Sequence, residues 1–408
     1  MFIFNPEHEL ALANNDENFM PKASVKKLAE DLALLPLWIS GNSERNEELC
    51  VQTRTDLLHL VVKTSLPLKM TDEISVWGWN KYIRKKLILS GINKKFLPSD
   101  EYLENIRELS HRKTASEAMI FLRNKLKNSI LPQPAKILKN VSDIKDFAQK
   151  YSEIVLKSPY SSSGKGIYFS NKYMSNSILG WCRRTIKQQG CVLGEKRFDV
   201  VKNFAMLFQI VDNQTNFVGY SLFETDGKTY RNNILTSDEN IEDMICYCGF
   251  DPPPTNSQQI GTFSSDFSFG FSNQVGSTIE KDLLITVKQT LMNFFNKKIA
   301  QKYNGFLGVD MFVFQENGKI FLNPCVEINL RYTMGLVAHE FYKNFVSQNF
   351  KGVFAIDFYK NSAELLQNHK QKIIDNPLII NDNKIINGYL SLCPVLENTN
   401  YRVRVEIL

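Results

Sequence analysis

The feature that most constrains the fold of this chain is the dipeptide Asn317-Gly318, which separates two alternating apolar runs over 306–316 and 319–331. Asn and Gly tolerate the positive φ angles required at both central positions of a two-residue turn. The pattern therefore predicts a tight β-hairpin. With Glu316 opposite Lys319, the register of the whole hairpin follows.

Because side chains alternate along a strand, this register predicts one apolar and one polar face. Val309 then faces Val326, and Asp310 lies diagonal to Glu327, at roughly 7–8 Å between backbones. The polar face carries Gly308, Asp310, Phe312, Asn323, Cys325, Glu327, Asn329 and Arg331.

Asp310, Glu327 and Asn329 offer the hard oxygen ligands that Mg²⁺ prefers. Mg²⁺ takes one or two carboxylates from a protein and completes its shell with water and phosphates. The pattern predicts a magnesium site, and the alternative is a solvated strand face with ordinary polar residues.

A second pattern is the segment IVLKSPYSSSGKGIYFS over 154–170, in which two strand-like runs flank a loop of small residues. Backbone N–H groups can fold around a phosphate where side chains lack bulk, and Lys165 adds a positive charge. Pro159 and Gly166 break the P-loop pattern. A flexible polar hairpin loop is the alternative interpretation.

A third pattern is Gly194-Glu195-Lys196-Arg197-Phe198 at the end of an apolar run. Such a connection between strands can hold a purine by its backbone, with Phe198 covering the ring. A charged surface turn is the alternative.

The 408 residues favour two or three domains, with 43% apolar residues to build a core. Seven irregularly placed cysteines, no signal-like N-terminus and no apolar run long enough to span a bilayer predict a cytoplasmic protein away from membranes. A net charge of +6 does not demand a nucleic-acid partner. The basic stretch 81–95 allows nucleic-acid binding, but its apolar positions favour a solvated helix face.

Short apolar runs at 2–5, 34–40 and 74–77 alternate with helical patterns and predict an N-terminal α/β layer with a boundary near 110. Residues 249–276 lack periodicity and read as an irregular excursion. The capping box at 277–280 and the apolar stripe behind it predict a helix.

Taken together and in this order, these patterns resemble the ATP-grasp superfamily over most of 110–345. The most specific part is VEINLRYTMG at 326–335, which looks like the metal-binding strand of that family. Further resemblance to a bacterial subgroup lies in FNPEHELALA at 4–13, WGWN at 77–80, LPSD at 97–100 and LSHR at 109–112.

The resemblance implies an α+β ATP-grasp fold with a pre-ATP-grasp-like α/β domain over 1–110 and two α+β subdomains that grip the nucleotide over 111–408. Within the second domain, 150–225 would be the lid subdomain and 225–280 an irregular excursion.

The resemblance also implies roles for individual residues. The calculated register, and not the resemblance, suggests the role of Arg331: it shares a face with Glu327 and Asn329, and its planar guanidinium would meet the substrate carboxylate or the acyl phosphate, unless it only pairs with Glu327. Asn203 stands where the family often places an acid against the ribose, and Lys113 is the alternative to Arg112 as a second phosphate contact. The implied ATP-binding residues are Arg112, Lys157, Ser161, Ser162, Ser163, Gly164, Lys165, Gly166, Glu195, Lys196, Phe198 and Asn203, with the metal at Asp310, Glu327 and Asn329.

The implied activity is an ATP- and Mg²⁺-dependent ligase, with one or two ions, that joins a small-molecule carboxylate to an amine or similar nucleophile through an acyl phosphate. A catalytically silent nucleotide-binding protein is the alternative, which Asn203 slightly favours. The scattered histidines are expected to be structural, with His8 the least secure because its polar neighbours suggest either a substrate contact or a helix cap.

Overall fold

The computed structural model describes residues 2–39, 74–126, 131–161, 166–227, 229–247 and 278–408. The strands are β1 (Phe2–Ile3), β2 (Ser75–Val76), β3 (Lys136–Leu138), β4 (Ile154–Lys157), β5 (Ile167–Ser170), β6 (Val192–Lys196), β7 (Asp199–Val211), β8 (Gln214–Asp226), β9 (Thr229–Leu235), β10 (Gly305–Glu316), β11 (Lys319–Asn329), β12 (Gly352–Phe358), β13 (Ile379–Asn381), β14 (Lys384–Ser391) and β15 (Tyr401–Ile407). The helices are α1 (His8–Asn14), α2 (Ala23–Asp31), α3 (Lys81–Leu89), α4 (Asp100–Ser110), α5 (Lys113–Leu126), α6 (Val141–Ala148), α7 (Asn176–Gln189), α8 (Asp238–Cys246), α9 (Lys281–Lys298), α10 (Met334–Phe345) and α11 (Ser362–Asp375).

The strands form one large and one small sheet, both antiparallel in the described ranges. The large sheet has the order β11-β10-β7-β8-β9-β12-β15-β14-β13, and the small one has the order β3-β6-β4-β5. Only the short pair β1-β2 among the named strands is parallel. Antiparallel sheets with helices packed on their faces define an α+β protein, so the predicted fold class is confirmed.

Helix α9 carries the apolar stripe that the sequence predicts, and it packs on the large sheet. Val287, Leu291 and Phe295 are fully buried against Phe208 of β7 and Val309 of β10. Packing of the apolar face of α9 on the apolar face of the sheet removes both faces from water. This burial holds the helix on that side of the sheet. The opposite face of β7, β10 and β11 is left for polar groups.

The N-terminal residues share a core with the C-terminal part of the chain. Phe4 and Trp38 are buried with Phe341 of α10, and the indole Nε1 of Trp38 donates to the carbonyl of Leu392 over 2.8 Å. Of the strand expected over 34–40, the described part is a 3₁₀-helix, Leu35–Trp38. Pro36 lacks the N–H that a strand ladder needs and suits the first turn of a helix, which explains the error.

Two predicted boundaries do not coincide with the layers and elements of the structure. The small sheet and its helices span 136–196, whereas β7 and β8 belong to the large sheet, so the predicted lid of 150–225 mixes two layers. The excursion expected over 225–280 contains β9 and α8, so regular structure continues to residue 246. Ser277 of the predicted capping box lies outside the described residues, and α9 begins at Lys281 after Glu280.

The hairpin of β10 and β11 has the predicted turn, with φ angles of 51° at Asn317 and 73° at Gly318. The predicted pairs hold from Glu316 opposite Lys319 to Phe312 opposite Asn323. Beyond that point β11 contains two extra residues. Pro324 has no N–H to donate and marks the irregularity, a position where proline is tolerated in sheets.

The shift of two residues preserves which face each side chain takes, because the side-chain period is two. Val309 consequently lies opposite Ile328 instead of the predicted Val326. The predicted diagonal between Asp310 and Glu327 becomes a direct pair. The correction brings the two carboxylates closer than the sequence register implies.

Among the described helices, none combines the length and the apolar character needed to cross a membrane.

Candidate functional site

The polar face of the hairpin brings together the three predicted metal ligands. Asp310 is opposite Glu327, and Gly308 is opposite Asn329. The amide Nδ2 of Asn329 donates to Oδ2 of Asp310 over 3.1 Å. The three side chains therefore form one cluster at the end of two paired strands.

The electrostatics of this cluster favour a cation. Burial, and then repulsion from Glu327, raise the pKa of Asp310 to about 7. A cation between two facing carboxylates removes that repulsion. In the described part of the chain no three His, Cys, Asp or Glu side chains gather to hold an ion by themselves, so Mg²⁺ here would depend on Asn329, water and nucleotide oxygens.

Arg112 joins this cluster to the loop after β4. Its Nη2 donates to both carboxylate oxygens of Glu327, over 2.8 and 2.9 Å, and its Nη1 donates to the carbonyl of Ser158 and to Oγ of Ser161 over 2.5 and 2.9 Å. The residue is 5% exposed, and its Nε has no acceptor among the described residues. A buried guanidinium donor without an acceptor suits an incoming phosphate oxygen.

The same contacts distinguish Arg112 from Lys113, the alternative phosphate contact. The Nζ of Lys113 lies 3.4 Å from Glu108 on an exposed part of α4 and α5. Arg112 is the residue that faces the site.

Lys157 and Glu195 form a second buried ion pair on the small sheet. Their Nζ and Oε2 atoms are 2.7 Å apart, and both side chains are less than 15% exposed, at 8% and 14%. Lys157 is opposite Leu193 in the register, so Glu195 lies two residues along on the same face. The two ends of the pair are held by neighbouring strands.

The predicted adenine segment, Glu195 to Phe198, covers the last two residues of β6 and the two residues after it. The Phe198 ring packs against Phe314 and Phe312 of the large sheet, with centroids 4.3 and 5.9 Å apart. Lys196 forms an ion pair with Glu316. The segment therefore bridges the two sheets.

Asn203, the predicted ribose contact, lies close to this bridge. It is opposite Phe312 on β10, and its Nδ2 lies 3.4 Å from Oγ1 of Thr225. The side chain is on the same sheet face as Asp310.

A small cavity lies beside the predicted adenine segment, where the small sheet meets the large one. Arg112, Glu195, Phe198, Asn323 and Cys325 line a cavity of about 20 Å³. Such a volume holds roughly one water molecule and no purine ring. A nucleotide therefore does not fit into this cavity without movement of the groups that line it.

The predicted phosphate loop is only partly described, because Ser162, Ser163, Gly164 and Lys165 lie outside the described residues. Ser161 accepts from Arg112 as given above. Gly166 has a φ of 74°, and a Cβ built on it would lie 2.3 Å from Oγ of Ser158. Glycine is required at this position by both conformation and space.

Arg331 lies next to the predicted metal ligands but does not pair with Glu327. Its Nη2 donates to Oδ1 of Asn329 over 3.1 Å, and its Nη1 donates to the carbonyl of Tyr332 over 3.0 Å. Its Nε forms an ion pair with Glu9, a residue to which sequence reasoning gave no role. Oδ1 of Asn329, the oxygen expected to bind metal, is thus used by Arg331 here.

Glu9 is brought to Arg331 by two of the subgroup motifs. The Asn5 side chain both donates to and accepts from the backbone of Gly78, over 2.9 and 3.2 Å. His8 is 1% exposed, and burial lowers its pKa to about 4. A Cβ on Gly78 would lie 2.5 Å from the His8 ring. The first residue of α1 therefore packs directly against the backbone of this glycine.

His8 is thus packed against Gly78 and within 3.3 Å of Nδ2 of Asn80. His8 is the first residue of α1 and does not cap it. The residue before the helix, Glu7, makes no side-chain capping hydrogen bond either. The residue that faces the site from this segment is the next one, Glu9.

No family model matches the sequence, and the search of curated proteins found no match. Solved structures do match. The ADP complex of PurK, an N5-carboxyaminoimidazole ribonucleotide synthetase, has a TM-score of 0.48 and 9% identity over 100% of this chain and 91% of its own. An N5-carboxyaminoimidazole synthetase from Staphylococcus aureus complexed with ADP has a TM-score of 0.40 and 13% identity, over 73% of this chain and 68% of its own.

A biotin carboxylase from Campylobacter jejuni has a TM-score of 0.44 and 10% identity, over 86% of this chain and 74% of its own. These matched structures are ATP-grasp proteins. At such low scores and identities, what this chain binds and catalyses has to be argued from its own residues.

Proposed function

We propose that this chain is an ATP- and Mg²⁺-dependent ligase of the ATP-grasp type, which joins a carboxylate to an amine or similar nucleophile through an acyl phosphate. The observation that carries the proposal is one sheet face on which Asp310 and Glu327 oppose each other while Arg112 and Arg331 flank them. Opposed carboxylates beside two guanidinium groups suit a metal-bound polyphosphate next to a second anion.

The order of groups along this face supports the same activity. Phe198, Phe312 and Asn203 lie at one end and are suited to a nucleoside. The carboxylate pair lies two residues further along β10, and Arg331 follows the last ligand on β11. Base, phosphates and acceptor would therefore be arranged in one line.

In this arrangement the protein acts by position and charge. Asp310, Glu327 and Asn329 would hold Mg²⁺, which neutralises phosphate charge when bound. Lys157 and Arg112 would contact the phosphates, and Arg331 would hold the acceptor carboxylate against the terminal phosphate. Transfer of that phosphate to the carboxylate gives ADP and an acyl phosphate, which the amine attacks with release of phosphate.

The experiment follows ADP release with Mg²⁺ and pooled small carboxylates, with hydroxylamine as the trapping amine. An acyl phosphate converts hydroxylamine into a hydroxamate, which is detected directly. Pools that respond are then separated into single acids. Arg331→Ala serves as the catalytic control because it leaves the nucleoside end of the face unchanged.

The second candidate is a nucleotide-binding protein without turnover. The amide of Asn203, in place of an acid at the ribose, favours it. Binding of MgATP without ADP release or hydroxamate from any pool would support this candidate against the ligase.

A further inference from the structure

We propose that Glu9 is a positioning residue for the reaction, which orients the Arg331 guanidinium toward the acceptor carboxylate. This inference rests on the proposed function. Its structural basis is the ion pair between Glu9 and Nε of Arg331, in which the two side chains are only 15% and 18% exposed. Residues 9 and 331 are 322 positions apart in the chain.

The ion pair fixes the direction of the guanidinium. An arginine has five N–H donors in a rigid planar fork. In the described structure Glu9, the carbonyl of Tyr332 and Oδ1 of Asn329 each accept one of them. One N–H on each Nη is left, and these two are the donors that a bidentate contact to a carboxylate needs.

Glu9 is itself held firmly. It lies in the first turn of α1, and Asn5, three residues before the helix begins, forms two hydrogen bonds with the backbone of Gly78. The backbone N–H of Tyr332 donates to the carbonyl of Trp77 over 3.0 Å. The segments 5–9 and 77–78 thus hold the side chain of Arg331 and the backbone beside it at the same time.

The charge of Glu9 is suited to this task. Burial acts to raise the pKa of Glu9, but Arg331 and then His8 bring it below the usual value. The lowered pKa keeps the Glu9 carboxylate ionised, so that it can pair with the Arg331 guanidinium. A fixed anion behind an arginine reduces the freedom that the side chain would lose when it binds substrate.

The test compares Glu9→Gln with the wild-type protein in the hydroxamate assay. We expect kcat to fall about tenfold or more, the scale of a small misplacement of a reacting group, while KM for ATP stays within about twofold. Glu9→Asp should give an intermediate rate, because it keeps the charge at a shorter reach. Melting curves of the variants confirm that they fold.

The matched control is Glu17→Gln. Glu17 pairs with Lys85 over 3.1 Å in the same N-terminal part of the chain but is 53% exposed. The Glu17→Gln variant loses one negative charge, as Glu9→Gln does, and should leave kcat unchanged.

A double-mutant cycle separates positioning from general stabilisation. If Glu9 acts through Arg331, Glu9→Gln should cost nothing further in an Arg331→Ala background. Additive losses, an unchanged kcat in Glu9→Gln, or a loss that appears in KM for ATP would overturn the inference while the wild-type ligase activity still stands. Absence of hydroxamate from the wild-type protein contradicts the proposed function instead.

Discussion

Asp310 and Glu327 lie directly opposite each other on paired antiparallel strands, and Arg112 donates to both oxygens of Glu327. Among the described residues, Glu327 thus forms an ion pair with Arg112, whereas Asp310 accepts from the amide of Asn329. Burial, and then repulsion from Glu327, raise the pKa of Asp310, and this gives the metal-free protein a measurable pH dependence.

Asp310→Asn should stabilise the metal-free protein at alkaline pH. The wild-type carboxyl has a folded-state pKa of about 7, against an unfolded value of about 3.9. Between these values the folded state binds more protons, so the free energy of unfolding falls as pH rises through the window. In EDTA, the variant should melt a few degrees above wild type near about pH 8, and the difference should disappear near about pH 4. A constant difference at all pH values would contradict this.

MgATP should raise the melting temperature of the wild-type protein. A ligand that binds only the folded state adds about 2.7 kcal/mol at a hundredfold excess over Kd. Lys157→Ala should reduce the shift, because its Nζ is one of the buried cations at the predicted phosphate position. Lys145→Ala, an exposed change on α6 of the same small-sheet unit, is the control and should keep the full shift.

Glu327→Gln should abolish hydroxamate formation and leave the fold intact. The near-isosteric amide oxygen can still accept from Arg112, but the negative charge beside the predicted metal is lost. The Mg²⁺-dependent part of the nucleotide shift in melting temperature should disappear. Retained activity with normal Mg²⁺ dependence would remove Glu327 from the site, and Glu364→Gln on α11 controls for the loss of one acid.

Arg331→Lys should separate nucleotide binding from chemistry. The variant keeps the charge but loses the planar fork that contacts Glu9 and Asn329 at once. We expect ATP affinity to stay nearly unchanged and hydroxamate formation to fall by about one to three orders of magnitude. Parallel loss of affinity and turnover would show that Arg331 has a structural role only.

Gly166→Ala should weaken nucleotide binding more than its conformation alone explains. Both Gly166 and Gly190 have positive φ, at 74° and 88°, but a Cβ on Gly190 meets nothing within 4 Å. Gly190→Ala therefore measures the cost of placing an alanine in a positive-φ conformation without a clash, about 1 kcal/mol. Gly166→Ala adds a clash with Ser158, whose carbonyl accepts from Arg112. Equal ATP affinity in both variants would contradict this.

The sequence predicts structure well where neighbouring residues decide it. The bounds of α7 and β4 and the turn at Asn317 follow from local periodicity and turn chemistry. The hairpin register is lost at Pro324, because the number of residues in an irregularity cannot be read from the pattern on either side of it. The residues predicted for the polar face are nevertheless correct, because the register shifts by two residues, an even number.

The contacts that complete the candidate site are of another kind. Arg112 and Glu327 are 215 positions apart, and Glu9 and Arg331 are 322 apart. Such pairs depend on how whole layers pack, which no local pattern encodes. The motif containing Glu9 was visible in the sequence, but its partner was not.

The double contact of Arg112 with Glu327 means that the protein carries its own counter-ion where a metal is expected. A Mg²⁺ ion at the predicted site would therefore compete with a guanidinium already in place, and free metal would gain little by binding alone. If displaced, Arg112 would become available to phosphate oxygens, together with the loop that it contacts at Ser158 and Ser161. Exchange of one partner for another at a single carboxylate would in this way couple the arrival of the metal–nucleotide complex to the position of the loop at Ser158 and Ser161.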